Sequence, residues 1–210
     1  TDLRESGAIG GVAQTEFAFH EAVLLADSWL ADGRCEQVLV GAVEELGEVM
    51  RYACHAKCPA PADGRLRPFR FAARPETIPG EGAVFFLLRP AATGPRLHVT
   101  LGADHSPECD LLLCDADGMS GSEAAYAAWL PEATPCASYL ALAGGMMAGS
   151  AFHAAVAASI LRSGRTLTAP DLAPGTAPAA DVPRRIACLK LNCAGEGAIV
   201  ELAAAGSTGP

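Results

Sequence analysis

The sequence predicts an α/β fold in layers, and three observations carry that prediction. Segments with apolar residues at helical spacing alternate with short apolar runs of strand length. Ala and Gly are abundant while aromatics make up only 6% of the chain, a composition suited to helices packed closely on a sheet. Glycine-centred turns separate the periodic segments. The 210 residues suffice for one well-buried domain, expected over residues 1–202 with a flexible tail at 203–210.

Taken in order, Phe17, Ala18, Ala22, Val23, Ala26, Trp29 and Leu30 recur at helical spacing and predict a helix over Glu16–Ala31, closed by Gly33. Gln37–Val43 is a continuous apolar run, expected to be a strand buried on both faces. Arg51–Arg65, with its cysteines and prolines, reads as a loop. A Gly-Glu-Gly-Ala turn at Gly80–Ala83 leads into a second buried strand, Val84–Leu88, and Leu97–Leu101 is a third. Asp110–Cys114 is a buried strand ending in an acidic, glycine-containing loop, Asp115–Gly121. A short helix follows over Ser122–Leu130, then a tightly packed Ala/Gly-rich helix over Gly144–Leu161. Thr166–Pro183 reads as a loop, and Arg185–Leu191 and Ala198–Leu202 as a closing strand pair around the turn Asn192–Gly197.

The charge balance narrows the partners. A net charge of −9 and few lysines disfavour nucleic acid and anionic membrane. No apolar run has the length of a membrane span, and no signal-peptide pattern is recognised, so a cytoplasmic location is expected. The eight cysteines are scattered, several inside strand-like runs, which fits reduced, buried thiols better than a disulfide scaffold. Cys54-His55 and Cys58 have metal-ligating residue types but lack a second compact pair, so neither a metal nor another cofactor is expected. Cys35 follows the C-terminal end of the first helix, the wrong end of the dipole for a reactive thiol, and Cys114 lies beside Asp115 and Asp117. Both are read as structural.

The segment Arg67–Leu88, RPFRFAARPETIPGEGAVFFLL, resembles the condensing-enzyme (β-ketoacyl synthase, thiolase-like) family in its Arg67-Pro68-Phe69 and its Gly80-Glu81-Gly82 turn before a strand. Further segments resemble the same family in the same order. VLVGAVEE is similar to the strand after the nucleophile helix. DLLLCDADGMSGS is similar to the strand and loop carrying the first catalytic histidine. LAGGMMAGSAFHA is similar to the helix start carrying the second. KLNCAGEGA is similar to the Gly-rich turn before the last strand. The resemblance implies a thiolase-like layered α-β-α sandwich, abbreviated, lacking most of the usual first half.

It also implies where the chemistry would sit. A condensing enzyme takes an acyl group from a carrier protein onto a cysteine at a helix N-terminus, and two imidazoles assist decarboxylation and stabilise the enolate. Here the nucleophile position falls at Glu16, the first histidine position at Asp117 and the second at Gly145. A carboxylate at Asp117 is expected to repel an enolate, and Gly145 has nothing to donate.

The expected function is therefore a non-catalytic subunit resembling chain-length factors. It would pair with an active ketosynthase as a heterodimer, or form a homodimer, and work on an acyl carrier protein in fatty-acid, polyketide or aryl-polyene synthesis. Ala143, Gly144, Met146 and Met147 are candidate pocket residues, and Glu16–Ala31 and Gln37–Val43 candidate interface elements. Two alternatives stand beside it: a divergent synthase or malonyl decarboxylase with Glu16 as acid/base, and a stand-alone acyl or acyl-carrier-binding module. Arg65, Arg67, Arg70 and Arg74 form either a docking patch or an ordinary solvated arm. Glu16 and His20, one helical turn apart, could share a hydrogen bond; His20 and His153 are otherwise read as structural histidines. Glu81 is read as a structural acceptor, and Glu44, Glu45 and Glu48 as a solvated face.

Overall fold

A computed structural model describes residues 16–71, 76–90, 94–118, 123–179 and 181–206. Four α-helices, one 3₁₀ helix and eight strands make up the described residues: α1 (Ala18–Ala31), β1 (Val38–Glu44), α2 (Glu48–Lys57), β2 (Gly82–Leu88), β3 (Arg96–Ala103), β4 (Leu111–Cys114), the 3₁₀ helix (Glu123–Trp129), β5 (Cys136–Ser138), α3 (Leu140–Ala143), α4 (Gly149–Ser163), β6 (Asp171–Leu172), β7 (Arg185–Leu191) and β8 (Gly197–Ala203).

The strands form two sheets. One has six strands in the order β3-β8-β7-β4-β5-β6, with β4 parallel to both β7 and β5 and the remaining pairs antiparallel. The other is the antiparallel pair β1-β2. Helices α1 and α4 lie between them: α1 contacts β1, β3 and β8, and α4 contacts β2, β7 and β8. Strand alternation divides the large sheet into two apolar faces. Leu111, Leu113, Ile186, Cys188, Val200 and Leu202 meet Phe19 and Val23 of α1 and Ala151, Ala154, Ala157 and Ile160 of α4. Leu112, Cys114, Ala187, Leu189, Leu191 and Ile199 face the other way, toward Tyr126 and Phe69. The fully buried alanines of α4 have no bulk to hold the helix off the sheet, which accounts for its close packing.

The end of α1 follows its sequence. Gly33 takes φ +65°, its N–H donates to the Leu30 carbonyl, and the Arg34 N–H reaches back to Trp29, closing the last turn. The glycine turn ahead of β2 is a packing device. Gly80 donates its N–H to Gly145, and Gly145 donates to Ile78. A Cβ on Gly80 would stand 1.9 Å from the Ala143 carbonyl oxygen, and one on Gly82 would stand 2.7 Å from the Phe152 ring. Glu81 between them accepts the Leu46 N–H at 3.2 Å, the structural role its motif suggested.

Several expectations are corrected. β1 and β2 are not buried on both faces: exposed and covered residues alternate along each, because only one side of the pair packs on helices. Arg51–Arg65 begins as helix, since Glu48–Lys57 is rich in good helix formers and only Cys54 is buried. The Gly144–Leu161 helix is broken by Gly144 at φ +83°, so α3 ends there and α4 starts at Gly149. Two short strands, β5 and β6, occupy segments with too few residues to show a period. The tail begins later than 203: Ala203 still pairs with Arg96 and Arg185, and the Ala204 N–H donates to Arg184. Residues 207–210 lie outside the described residues. Glu44 is not simply solvated, because its carboxylate accepts the Ala148 N–H at 2.9 Å at the start of α4.

This packing makes a prediction. Gly80→Ala is expected to lower unfolding free energy by more than about 2 kcal/mol, because backbone must move to admit the methyl group. Gly33→Ala, where nothing lies within 4 Å, should cost only the left-handed strain of about 1 kcal/mol. Urea denaturation of the two variants measures the difference.

Candidate functional site: a buried ion cluster at the strand ends

The parallel strands β4 and β7 end side by side, with Cys114 opposite Leu189. Alternation then puts Asp115, one residue further on, and Lys190 on the face that α4 covers, in line with Leu113 and Cys188. Lys190, Asp115 and Asp117 are each no more than 2% exposed. The Lys190 ammonium stands 2.5 Å from Asp117 Oδ2 and 3.1 Å from Asp115 Oδ2. Tyr126 ties the two strand ends together: its hydroxyl donates to the Asp115 carbonyl and accepts the Leu191 N–H, both at 2.8 Å.

Helix α4 brings its N-terminus onto the same point. A Cβ on Gly149 would lie 2.4 Å from Asp115 Oδ1, so glycine is what lets the helix start reach the carboxylate. The helix dipole there favours the charged form of Asp115. One turn along, His153 accepts the Tyr139 N–H through Nε2 at 3.1 Å. Its proton is therefore on Nδ1, which faces Asp115 Oδ1 at 3.8 Å. His20, fully buried on α1, lies edge-on to the rings of Phe17 and Phe19 and has no hydrogen bond on either ring nitrogen among the described residues. The buried Ser150 hydroxyl has none either.

The charges set the protonation states. Burial alone would discharge Lys190, but the carboxylates of Asp115 and Asp117 more than offset it and hold its pKa above the usual value. Burial pushes Asp115 well above the ordinary carboxylate range; Lys190 opposes the shift and Asp117 adds to it. Burial, reinforced by Lys190, pulls His20 down to about 3. Burial brings His153 down to about 4; a hydrogen bond to the Gly149 backbone opposes the shift and Lys190 adds to it. Both imidazoles are neutral at pH 7.

The residues singled out by resemblance fall around this cluster. Asp117 and Gly145 are brought into contact: a Cβ on Gly145 would be 2.7 Å from the Asp117 carbonyl oxygen and 2.2 Å from Thr77 Oγ1, which donates to that carbonyl at 2.6 Å. The Asp117 carboxylate is one arm of an ion pair with Lys190. Glu16 accepts the Cys193 N–H at 3.2 Å, which ties the lead into α1 to the β7–β8 turn, and no Glu16–His20 hydrogen bond forms.

Of the pocket candidates, Met146 is fully buried, while Ala143, Gly144 and Met147 are half-buried; Gly144 packs backbone to backbone on Gly80. In the Arg-Pro-Phe motif, Arg67 pairs with Asp63, and Phe69 is buried against Phe71 beneath Tyr126. Arg70 is likewise paired, with Glu76 at 3.2 Å, and Arg74 lies outside the described residues. Cys58 donates to the Gly118 carbonyl at 2.9 Å, and no cluster of potential metal ligands occurs among the described residues. No helix among the described residues is long and apolar enough to cross a membrane.

Sequence reasoning missed Lys190 and Asp115. The signal was present: a lysine in the otherwise apolar run IACLKL, and two aspartates two residues apart at the end of a buried strand.

A layered α/β fold with two helices between two sheets is the thiolase-like fold, and the comparisons agree. No protein-family model and no curated protein matches the sequence. Solved structures do. An oxazolomycin ketosynthase domain from Streptomyces albus JA3453 superposes with a TM-score of 0.63 at 19% identity, covering 93% of this chain and 46% of its own. The ishigamide ketosynthase/chain length factor gives 0.62 at 15% identity, covering 90% and 59%. A type II polyketide synthase ketosynthase, in a complex with its acyl-carrier protein, gives 0.65 at 14% identity, covering 95% and 64%. The protein has the fold of these ketosynthases, and the chain spans about half to two thirds of their length.

Two predictions follow from the cluster. Lys190→Met leaves two buried carboxylates without their cation and should cost about 3–5 kcal/mol of stability; combining it with Asp115→Asn and Asp117→Asn should recover most of that loss in thermal or urea denaturation. The histidines set the acid limb. An imidazole whose pKa is lowered on folding contributes stability that is complete above the unfolded value of 6.5 and lost as pH falls toward the folded value, about 3 for His20 and about 4 for His153. Unfolding free energy should therefore drop between pH 6.5 and 4 by up to about 1.4 kcal/mol per pH unit for each histidine, less the opposite contribution of Asp115, whose raised pKa lets the folded state take up a proton over the same range. His20→Leu should flatten that slope.

Proposed function

We propose that this protein is a non-catalytic ketosynthase-like subunit, resembling a chain-length factor, that works beside an active β-ketoacyl synthase and helps to shape the space taken by the acyl chain. The observation that carries the reading is the Lys190–Asp117 ion pair. The position where the resemblance calls for an imidazole donor holds a carboxylate already neutralised by a buried lysine.

A condensing site needs a thiolate and two donors aimed at a developing enolate. Here Glu16 lies two residues before α1, and its carboxylate holds the Cys193 backbone. The thiols nearest the ion cluster along the chain are buried and far from thiolate character: burial drives Cys114 and Cys188 well above the ordinary thiol value. The fold neighbours that include a ketosynthase/chain length factor and a ketosynthase with its acyl-carrier protein supply the setting, and an active ketosynthase and an acyl carrier are the proposed partners.

The test is reconstitution with a type II ketosynthase and its acyl-carrier protein. After acyl and malonyl donors are offered, intact-mass spectrometry should find a stable complex with acyl label on the ketosynthase and none on this chain. Acyl bound covalently to this chain, or condensation by it alone, would overturn the reading.

A further inference from the structure

We propose that α2 is a strap beside the ion cluster that opens as a unit while the rest of the fold stays closed. Both ends of the strap are anchored. On its N-terminal side the Leu46 N–H donates to Glu81 at 3.2 Å. On its C-terminal side the Cys58 thiol donates to the Gly118 carbonyl at 2.9 Å, and the Pro59 carbonyl accepts the Thr77 N–H at 3.2 Å. The Thr77 hydroxyl in turn donates to the Asp117 carbonyl. The second anchor thus sits on the segment that carries one arm of the ion pair.

Between the anchors little holds the helix down. Of its ten residues only Cys54 is buried, whereas α1 buries four and α4 seven. Among the described elements α2 has no broad packing partner, and Gly47 at its N-cap makes no side-chain hydrogen bond to the first turn. A helix shorter than about 12 residues is marginal without tertiary packing. A segment with so few buried contacts opens locally at a fraction of the cost of global unfolding. Cys54 marks what the strap covers. Burial raises its thiol pKa, the carboxylates of Glu44 and Asp117 add to the shift, and Lys57 opposes it, so the thiol lies within electrostatic reach of both acids. Glu44 holds the start of α4, and Asp117 pairs with Lys190. Opening of α2 uncovers Cys54 at the outer rim of these groups. Lys190 stays enclosed, because α4 packs over the sheet face on which it lies.

Thiol labelling of the native protein tests the strap. With excess N-ethylmaleimide and peptide mass spectrometry, Cys54 should react at least about 100-fold faster than Cys114, Cys136 and Cys188, whose burial within the large sheet only global unfolding relieves. Two variants separate local from global opening. Tyr52 is 78% exposed in the middle of α2, so Tyr52→Pro removes a helix hydrogen bond and no buried contact. It should speed Cys54 labelling by about 100-fold. Ile160→Val trims the core beneath α4, far from the strap in the packing. It should speed labelling of the three sheet thiols by about fivefold and leave the Cys54 rate unchanged. Cys54 labelling that rises in step with the sheet thiols in Ile160→Val, or that Tyr52→Pro leaves unchanged, would overturn the proposal. The measurement uses neither ketosynthase nor acyl donor, so its outcome is separate from that of the subunit reading.

Discussion

The structure is organised around one buried cation. Lys190 sits where β4 and β7 end and where α4 begins, with two carboxylates around its ammonium group. An unpaired charge at such a depth would cost several kcal/mol, so each neighbour is constrained in turn. Asp115 must stand opposite Lys190, which the parallel register provides. Gly149 must lack a side chain so that α4 can reach Asp115. Tyr126 must hold the strand ends together from the other face, with both of its hydrogen bonds going to backbone. Glycine packing at Gly80, Gly144 and Gly145 then locks the segment before β2 against the loop between α3 and α4.

This arrangement also sets the chemistry. The carboxylate of Asp117 is committed to Lys190, and the imidazoles of His20 and His153 are neutral and enclosed. A buried imidazole with no hydrogen bond on either nitrogen, as His20 has among the described residues, gains little for stability over an apolar residue of similar size.

Much of the scaffold was legible in the sequence because local rules and tertiary packing agree there. The periodicity of α1, its Gly33 closure and the apolar runs of β3, β4, β7 and β8 all appear as read. The Gly-Glu-Gly turn was recognisable because Gly80 packs on the Ala143 backbone and Gly82 against the Phe152 ring, and neither spot has room for a Cβ. Failures came where one level of information was missing. α2 was hidden by cysteines and nearby prolines that suggested a loop, although its propensities are helical. β1 and β2 are apolar on both faces in sequence, yet among the described residues only one face is covered, a fact no periodicity reports. For the site, resemblance pointed to Asp117 and Gly145, which do meet. Lys190 escaped because a charge inside a strand is informative only when its neighbours across the sheet are known.

The central claim, that Lys190 is sealed within an ion cluster, is tested most directly by amine labelling. The chain has two lysines, Lys57 and Lys190. Lys57 is exposed and Lys190 is 1% exposed. Under native conditions at mildly alkaline pH, an amine-acylating reagent followed by peptide mass spectrometry should modify Lys57 and leave Lys190 untouched until the protein is unfolded. Modification of both at comparable rates would contradict the account, because it would mean that the centre of the fold is open to solvent.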